Sequence, residues 1–294
     1  MKYESLIIGH VTGDHNVDYE GKEVFAEGGA ALYSSASAYG IGHNVAALTS
    51  VSKEDKDRLK AFRLPEKDVF CVFKDSSTDM YNRYFTADRE RRESRCPRRG
   101  GVITVADVIS TGAESEVYHL AGLLYGDYED GIIEALSKLG KVAVDVQGYL
   151  RHRAANGEMY FEDWQDKKKL LPYIDFLKTD AAEAEILTGT SDRREAAKIL
   201  YSWGAKEVLI THNTEVLAYD GKEIYTCPIK ARNLSGRTGR GDTAFAAYIT
   251  ERKNKSAKDA LLFATATVSL KMEKPGAFDG TREDVDKYID EFYS

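Results

Sequence analysis

A glycine-rich segment that ends in an aspartate is the part of the sequence best suited to chemistry. Residues 233–248 place Gly236, Gly239 and Gly241 ahead of Asp242, and small and apolar residues follow. Glycines let a turn bring backbone amides close to a ligand, and a helix that begins near Asp242 aims its unpaired N–H groups at the same point. The segment therefore predicts an anion-binding turn. Asp242 is either the N-cap of the helix or a base beside a bound phosphate, and its residue type fits both.

The elements that position this turn are predicted to form a mostly parallel sheet. Strand-like apolar segments occur at residues 5–9, 44–49, 117–120, 141–145, 176–179 and 207–211, and helical segments separate them from residue 104 onward. Such alternation is typical of a doubly wound α/β fold with helices on both faces of the sheet. Ligands of these folds bind beyond the carboxyl ends of the strands, where Asp14, Asp145, Asp180 and Thr211 fall. The sequence thus places several carboxylates and the glycine turn at one edge.

The first hundred residues contain additional short strands, which we expect to form a small β lid from segments of about 14–27 and 68–100. A charged helix is expected at residues 53–62, and an edge hairpin at 216–228. No linker or internal repeat interrupts the chain, so residues 1–294 are interpreted as a single domain. Unpaired lid edges would offer a surface for a homodimer, a matter that the sequence leaves open.

Composition excludes several classes of protein. The chain has 43% hydrophobic and 30% charged residues and a net charge of −7, which argues against a general nucleic-acid binder. Cys71, Cys96 and Cys227 form no Cys-x-x-Cys pair, so neither a disulfide framework nor a zinc site is indicated. No apolar run reaches membrane-spanning length. We therefore expect a soluble, cytoplasmic protein that binds neither nucleic acid nor membrane.

Five segments carry a family resemblance when they are taken together and in order. They are Gly9–Asp14, Gly28-Gly29, Thr179–Gly189, Thr238–Tyr248 and Phe263–Ala277. The fourth resembles a carboxyl-terminal Asp-Thr-x-Gly-Ala-Gly-Asp signature, and the third resembles an Asn-x-x-Glu motif in a Glu-Ala-Glu-Leu-Leu-Thr-Gly context. This combination resembles the ribokinase family of carbohydrate kinases, also called the PfkB family. The likeness extends from residue 5 to about residue 280, and it implies a ribokinase-like fold.

The resemblance implies transfer of the γ-phosphoryl group of ATP, with Mg²⁺, to a hydroxyl of a small sugar or polyol. Phosphoryl transfer depends mainly on positioning and on neutralising charge, and a base accepts the proton of the attacking hydroxyl. By this likeness Asp242 is the catalytic base. The amides of Gly239, Arg240 and Gly241 form the anion hole.

Further site residues follow from the same resemblance. It assigns Asp14, Gly28, Gly29 and Tyr33 to the acceptor, Glu183 to magnesium, and Asp180, Thr211, Asn213, Thr238 and Thr265 to the nucleotide. Structural roles compete with these assignments: Asp180 and Glu183 also suit an N-cap and a solvated first helical turn, and Asp14 suits a turn. The two adjacent glycines also suit the start of a helix.

The sequence departs from the family pattern at several of these positions. Tyr33 replaces an asparagine that commonly contacts sugar hydroxyls, Asp180 replaces the asparagine of the Asn-x-x-Glu motif, and Arg240 replaces an alanine of the signature. Gly236-Arg237 and His212-Asn213 also differ from the usual residues. These changes leave the identity of the acceptor and the details of the nucleotide pocket open.

Arginines are concentrated in the second lid segment, at positions 83, 89, 91, 92, 95, 98 and 99. Because arginine suits bidentate phosphate contacts, one or two of them, with Arg83 as the candidate, are expected to reach the substrate. For most of them a solvated strand edge protected by charge is the competing interpretation. His119 lacks metal-ligand spacing and is interpreted as a structural residue.

The acceptor is the least determined part of the interpretation. The segments Gly9–Asp14 and Val142–Arg151 are most similar to archaeal-type inositol kinases, which favours myo-inositol. Ribose, a nucleoside or another sugar stays open, and so does a non-catalytic sensor on the same fold. A dinucleotide-dependent oxidoreductase is disfavoured because no Gly-x-Gly-x-x-Gly follows a predicted strand.

Overall fold

The computed structural model describes residues 2–86 and 91–294. Its strands are β1 (Lys2–Ile8), β2 (Thr12–Val17), β3 (Glu23–Gly28), β4 (Val45–Val51), β5 (Val69–Phe73), β6 (Thr78–Tyr84), β7 (Arg92–Arg98), β8 (Glu114–Leu120), β9 (Lys141–Asp145), β10 (Arg151–Arg153), β11 (Met159–Phe161), β12 (Phe176–Asp180), β13 (Val208–Thr211), β14 (Glu215–Tyr219) and β15 (Ile224–Pro228). Its helices are α1 (Ala30–Gly40), α2 (Val105–Ser110), α3 (Ile132–Leu136), α4 (Gln147–Leu150), α5 (Lys167–Leu170), α6 (Ala181–Thr188), α7 (Arg193–Ser202), α8 (Arg240–Glu251), α9 (Ala257–Met272) and α10 (Arg282–Phe292). Turns of 3₁₀ helix lie at Lys56–Ala61, Glu66–Asp68 and Leu171–Tyr173.

The central sheet has nine strands in the order β15-β14-β13-β12-β9-β8-β1-β4-β5. All neighbouring pairs are parallel except those that the hairpin β14–β15 forms at one edge. The predicted doubly wound, mostly parallel sheet is confirmed. The winding direction changes between β1 and β8, which pair through Ile8 and Leu120. Such a switch point leaves a crevice beyond the strand ends, and this is where ligands bind in open α/β sheets.

Helices cover both faces of the sheet. On one face α8 packs between α1 and α9, and its buried Phe245 and Tyr248 belong to a cluster that includes Phe263 of α9. On the other face α2, α3, α6 and α7 bury apolar side chains against β1, β8, β9 and β13. No helix of the described residues is long and apolar enough to cross a membrane.

A separate four-stranded sheet forms the lid, in the order β3-β2-β6-β7. The second lid segment is shorter than the expected 68–100, because β5 pairs in parallel with β4 and thereby belongs to the central sheet. The outer side of the lid exposes Phe25, which is 73% exposed. Dimerisation through the lid stays a prediction.

Two other local features differ from expectation. The helix expected at 53–62 is a 3₁₀ turn at Lys56–Ala61, from which Arg58 bonds the Thr78 carbonyl and the Asp79 carboxylate of the lid. A hairpin of β10 and β11 was not predicted; each strand has only three residues, too few for an alternating pattern. This hairpin lies beside β7, so it supports the lid.

Candidate active site

A polar cavity of about 290 Å³ lies between the carboxyl ends of the central strands and the lid. Most of the residues predicted to act in catalysis or binding line it together: Asp14, Gly29, Tyr33, Asp180, Thr211, Thr238, Gly239, Arg240, Gly241 and Asp242. Gly28, Arg83, Glu183, Asn213 and Thr265 are not among its lining residues. The topology therefore brings the glycine turn, the strand ends and the lid to one place.

The glycine turn leads into α8, and its geometry shows which residue is the N-cap of this helix. Gly239 is the N-cap, in the left-handed conformation at φ 77°, and Asp242 is the third helical residue. Asp242 is therefore not the N-cap. Within residues 2–86 and 91–294, the amides of Gly239, Gly241 and Asp242 have no hydrogen-bond partner, whereas the Arg240 amide donates to the Arg237 carbonyl at 3.3 Å. The amides available for the expected anion hole are therefore those of Gly239, Gly241 and Asp242, because the Arg240 amide already has a hydrogen-bond partner.

Tyr33 of α1 and Lys271 of α9 hold the turn. A Cβ on Gly239 would lie 2.4 Å from the Tyr33 ring, so the backbone rests directly on the aromatic face. Lys271 Nζ donates to the Gly236 carbonyl at 2.5 Å and to the Thr238 carbonyl, and it lies 5.3 Å from the centroid of the Tyr33 ring. The position where the family has an asparagine is therefore occupied by a ring that supports the glycine turn.

Small side chains of α1 also hold the start of α8. Ser34 Oγ donates to the Asp242 carbonyl at 3.3 Å, and Ser37 Oγ donates to the Thr243 carbonyl at 2.9 Å. Both serines are fully buried. These bonds fix the first turn of α8 against α1, and so they fix the height of Asp242 above the sheet.

The surroundings of Asp242 favour its use as a base near neutral pH. Burial and the neighbouring carboxylate of Asp145 raise the pKa of Asp242 to about 6, while Lys178, Arg151 and Lys271 oppose the rise. A general base works best when its pKa is close to the operating pH. The carboxylate that the sequence singled out thus has the electrostatics of a proton acceptor.

Lys178, near the end of β12, is a buried cation next to the turn. Its Nζ lies 2.9 Å from Asp145 Oδ2 and 3.1 Å from Asp145 Oδ1, and both side chains are buried. Although burial lowers the pKa of Lys178, the carboxylates of Asp145 and Glu183 more than compensate, so its pKa lies above the ordinary value. A Cβ on Gly241 would lie 3.3 Å from Nζ. The glycine therefore lets the backbone approach the ammonium group.

Asp180 and Glu183 form a capping box at the start of α6. The Asp180 amide donates to Glu183 Oε2 and the Glu183 amide donates to Asp180 Oδ1, each at 2.8 Å. Glu183 is buried rather than solvated, and burial raises its pKa to about 8 even though Lys178, 3.9 Å away, opposes the rise. Asp180 lines the cavity, so the alternative of an N-cap and the predicted contact with a ligand are compatible.

The carboxylates of this region suit a magnesium ion that arrives bound to phosphate. Within residues 2–86 and 91–294, they do not form a site of their own for a resident ion. No group of three His, Cys, Asp or Glu residues in the described part of the chain is arranged to hold a metal. Mg²⁺ commonly uses one or two carboxylates together with substrate phosphates and water. Asp180 is the carboxylate on the cavity wall, while Glu183 lies behind it in the capping box.

Asp14 lies on the lid strand β2. The expectation that it lies in a turn beyond the end of β1 is therefore wrong. Thr12 Oγ1 donates to its Oδ1 at 2.6 Å, and burial raises its pKa. A Cβ on Gly28 would lie 2.3 Å from Asp14 Oδ2, and one on Gly29 would lie 2.2 Å from the His10 carbonyl. Gly29 is also the N-cap of α1, at φ 103°. The double glycine therefore makes room for Asp14 as well as starting the helix.

The alternation of side chains along β6 decides which lid residues face the cavity. Met80, Asn82 and Tyr84 line it, whereas Arg83 lies on the outer side with its guanidinium 5.7 Å from the Phe85 ring. The structure thus corrects the assignment of Arg83 to the substrate, because neighbouring residues of a strand point to opposite faces. From β7, Arg92 and Ser94 line the cavity instead.

Several other arginines of this segment have structural partners. Arg98 pairs with Asp79 at 2.7 Å and with Asp55 at 2.6 Å, and Arg95 pairs with Glu93 at 2.7 Å. Arg99 donates to the Gly126 carbonyl. Arg89 lies outside the described residues. The interpretation of a charged strand edge therefore holds for Arg95 and Arg98.

Comparison with known proteins assigns the family. The model of the pfkB family carbohydrate kinases matches residues 78–284.

The chain belongs to the pfkB carbohydrate kinase family.

This pfkB kinase is similar to solved structures of the ribokinase family. A pyrophosphate-dependent kinase complexed with a pyrophosphate analog and myo-inositol is 34% identical, with a TM-score of 0.85 over 96% of this chain and 99% of the other. A pyrophosphate-dependent myo-inositol-1 kinase, converted into a myo-inositol-3 kinase by replacing an asparagine and a serine with leucine, is 32% identical, with a TM-score of 0.85 over 99% of this chain and 100% of the other.

A curated relative has a different named acceptor. The cytidine kinase of Thermococcus kodakarensis is 26% identical over 255 residues, which cover 82% of this chain and 85% of the relative. The family membership and these relatives make this protein a phosphotransferase with an alcohol group as acceptor, on a ribokinase-like α/β fold. Its substrate is a small molecule.

Asn213 and Thr265, which the resemblance assigns to the nucleotide, do not line the cavity of this pfkB kinase. Asn213 is exposed, and its Oδ1 accepts a hydrogen bond of 2.7 Å from Arg240. Thr265 is buried within α9, where its Oγ1 donates to the Leu261 carbonyl at 2.7 Å. His119 is also buried, edge-on to Phe245, and burial lowers its pKa to about 3, which fits the structural role expected for it.

Sequence reasoning did not single out Lys178, Arg151, Asn82, Ser94 or Gln147, although all five line the cavity of this pfkB kinase. A signal was available for Lys178, because a lysine inside an otherwise apolar strand that ends at Asp180 needs a buried partner. Asn82 and Ser94 required the register of the lid strands. Arg151 required the unpredicted β10–β11 hairpin.

Proposed function

We propose that this kinase transfers a phosphoryl group from pyrophosphate to one hydroxyl of myo-inositol, with Asp242 as the general base. The observation that carries the proposal is the shared cavity: Asp242 and the unpaired amides of its turn face the same space as Asp14 of the lid. An acceptor held by Asp14 would present a hydroxyl to Asp242 beside an anion site. The two similar pyrophosphate-dependent kinases support the choice of donor and acceptor, because one is complexed with a pyrophosphate analog and myo-inositol and the other is a myo-inositol kinase.

The charge of the cavity supports a compact, highly charged donor. Among the residues that the structure describes, five cationic side chains line it, against the three carboxylates of Asp14, Asp180 and Asp242; the cations are Arg92, Arg151, Lys178, Arg237 and Arg240. Pyrophosphate concentrates its charge in a small volume, whereas the base and ribose of ATP need an additional apolar surface. ATP remains the alternative donor, as the family resemblance implied.

The lid contains an asparagine and a serine that are joined by a hydrogen bond. Ser94 Oγ donates to Asn82 Oδ1 at 2.6 Å, and Asn82 Nδ2 donates to Asn16 Oδ1 at 3.1 Å. Both Asn82 and Ser94 line the cavity. In the similar myo-inositol-1 kinase an asparagine and a serine decide which hydroxyl reacts. We infer that this hydrogen-bonded pair orients the acceptor ring here and favours the 1-position.

The proposed reaction needs little covalent chemistry from the protein. The Asp242 carboxylate accepts the hydroxyl proton as the acceptor oxygen bonds to phosphorus, and the bond to the bridging oxygen of the donor breaks. Amides of the glycine turn and the Lys178 ammonium group stabilise the negative charge. Asp180 would hold a magnesium ion that arrives with the donor, and the ion would neutralise negative charge on the phosphate oxygens.

The test is a matrix of donors and acceptors. Pyrophosphate and ATP, each with Mg²⁺, are combined with myo-inositol, ribose, fructose 6-phosphate and cytidine, and phosphorylated product is detected by mass spectrometry. Turnover is expected with pyrophosphate and myo-inositol at a kcat/KM at least tenfold above any other pair. Preference for ATP with cytidine would instead favour the nucleoside kinase named by the curated relative. Donor binding without turnover of any acceptor would favour a sensor.

A further inference from the structure

Arg151 is a buried cation whose hydrogen-bonding capacity is mostly unused. It begins β10, directly after α4, and it is only 7% exposed. Its Nε donates to the Leu123 carbonyl at 2.8 Å. Its two terminal nitrogens have no hydrogen-bond or ion-pair partner in the part of the chain that the structure describes, and the side chain lines the active-site cavity.

An unpaired guanidinium in this environment is unfavourable unless a ligand completes it. Burying a charge without a partner costs free energy, and arginine does not escape the cost by losing its proton at physiological pH. Burial and the nearby Arg92 lower the pKa of Arg151, although the carboxylates of Glu183, Asp127 and Asp145 oppose the fall. A neutral polyol would satisfy some of the N–H groups but would not neutralise the charge. The ligand that completes the site is therefore an anion.

The position of Arg151 indicates which anion this is. Burial raises the pKa of both Asp14 and Asp242, and Arg151 is among the cations that oppose both rises. The guanidinium thus acts electrostatically on the carboxylate assigned to the acceptor and on the carboxylate assigned to the proton. In the proposed function the phosphoryl group meets the acceptor hydroxyl beside Asp242, in the cavity that Arg151 also lines.

We propose that Arg151 is a catalytic residue that binds the phosphoryl group during its transfer and then the phosphate of the product. This inference rests on the proposed function, because it identifies the anion as the transferred group. As the bond between phosphorus and the acceptor oxygen forms and the bond to the bridging oxygen breaks, charge is shared by three equatorial oxygens. The terminal nitrogens of Arg151 donate to those oxygens, while Asp242 takes the acceptor proton. The role corresponds to that of an arginine finger supplied by the enzyme's own chain.

Steady-state kinetics of Arg151→Gln and Arg151→Lys test the proposal. The glutamine variant keeps a donor but loses the charge, and we expect its kcat to fall about 10³-fold, the lower end of arginine-finger effects. The acceptor KM is expected to change less than about threefold, because the anion and not the polyol is the ligand. The lysine variant should recover only part of the rate, since a point charge cannot donate in the bidentate geometry of a guanidinium.

Arg153→Gln is the matched control. Arg153 is two residues further along the same strand, and its guanidinium also donates to backbone carbonyls, those of Cys96 at 2.7 Å and Pro97 at 3.0 Å. It does not line the cavity, so kcat should remain within about twofold of wild type. If Arg151→Gln keeps its kcat, or loses activity entirely through the acceptor KM, the proposal is overturned.

Binding of inorganic phosphate separates this inference from the proposed function. In the presence of myo-inositol, phosphate is expected to raise the Tm of the wild type and of Arg153→Gln, and to bind Arg151→Gln at least about tenfold more weakly. If the wild type phosphorylates no acceptor in the panel, but phosphate stabilisation still depends on Arg151, the proposed function fails and the anion site stands. Equal phosphate binding by the wild type and Arg151→Gln would overturn the anion site itself.

Discussion

Lys178 and Asp145 form a buried ion pair across the carboxyl ends of neighbouring strands, with Nζ 2.9 Å from Oδ2. Residues 178 and 145 are in register between β12 and β9, and the pair therefore follows directly from the parallel alignment. Both partners act on Asp242: the Asp145 carboxylate raises its pKa and the Lys178 ammonium lowers it. The pair thus links the stability of the sheet edge to the protonation of the proposed base.

Removing one partner of this pair is expected to destabilise the fold more than removing both. Lys178→Met leaves the Asp145 charge buried and unpaired, and it should reduce the free energy of unfolding by about 3 to 5 kcal/mol. The double variant Lys178→Met/Asp145→Leu should lose clearly less. Urea denaturation at pH 7 measures both. A double variant that loses as much free energy of unfolding as Lys178→Met, or more, would contradict the expectation.

An exposed pair nearby provides the comparison. Lys206 Nζ lies 2.7 Å from Asp175 Oδ1, but the Lys206 side chain is 60% exposed. Lys206→Met should therefore change stability by about 1 kcal/mol or less. A similar loss in the two lysine variants would show that burial does not set the difference.

The contact between Gly239 and the Tyr33 ring predicts a loss of activity when a single methyl group is added. Gly239→Ala should cost about 1 to 2 kcal/mol for the left-handed backbone conformation, and the methyl group also has to displace the ring. Gly189 has the same φ of 77°, and no atom of the described residues lies within 4 Å of the added methyl group, which makes Gly189→Ala the control for backbone strain alone. Thermal unfolding and kcat/KM measure the two effects. Equal stability losses and full activity in Gly239→Ala would disprove the role of the contact.

Individual elements and residues show how much of the fold and of the site can be predicted from the sequence. Local patterns were sufficient for β9 and β12, because burial of these strands gives short apolar runs that end at polar residues. The motif glycines likewise located Asp242 and its turn. Side-chain orientation in the lid was not accessible: Arg83 and Asn82 are adjacent in sequence, and only the pairing of β6 with β2 decides which one faces the cavity. Arg151 depends on a hairpin of three-residue strands that local propensity does not specify.

Asn82 and Ser94 provide a test of positional specificity. Replacing both with leucine removes their hydrogen bond from the cavity wall, and we expect the site of phosphorylation on myo-inositol to move from the 1-position toward the 3-position. The two products are mirror images, so chiral chromatography must separate them. Tyr81→Leu, on the opposite face of the same strand, is the control and should keep the wild-type product. An unchanged product in the double leucine variant would contradict the assigned role.

The central claim, that Asp242 is the general base, is tested most directly by the pH dependence of kcat/KM in the wild type and in Asp242→Asn. Because the pKa of Asp242 is about 6 and a base acts when deprotonated, wild-type kcat/KM should rise with pH through about 6 and then level off. Asp242→Asn should lose at least ~10²-fold in kcat and the acidic limb with it. Asp259→Asn, at the third position of α9, is the matched control and should behave as wild type. An Asp242→Asn variant that retains more than about a tenth of kcat, or the same acidic limb, would contradict the account.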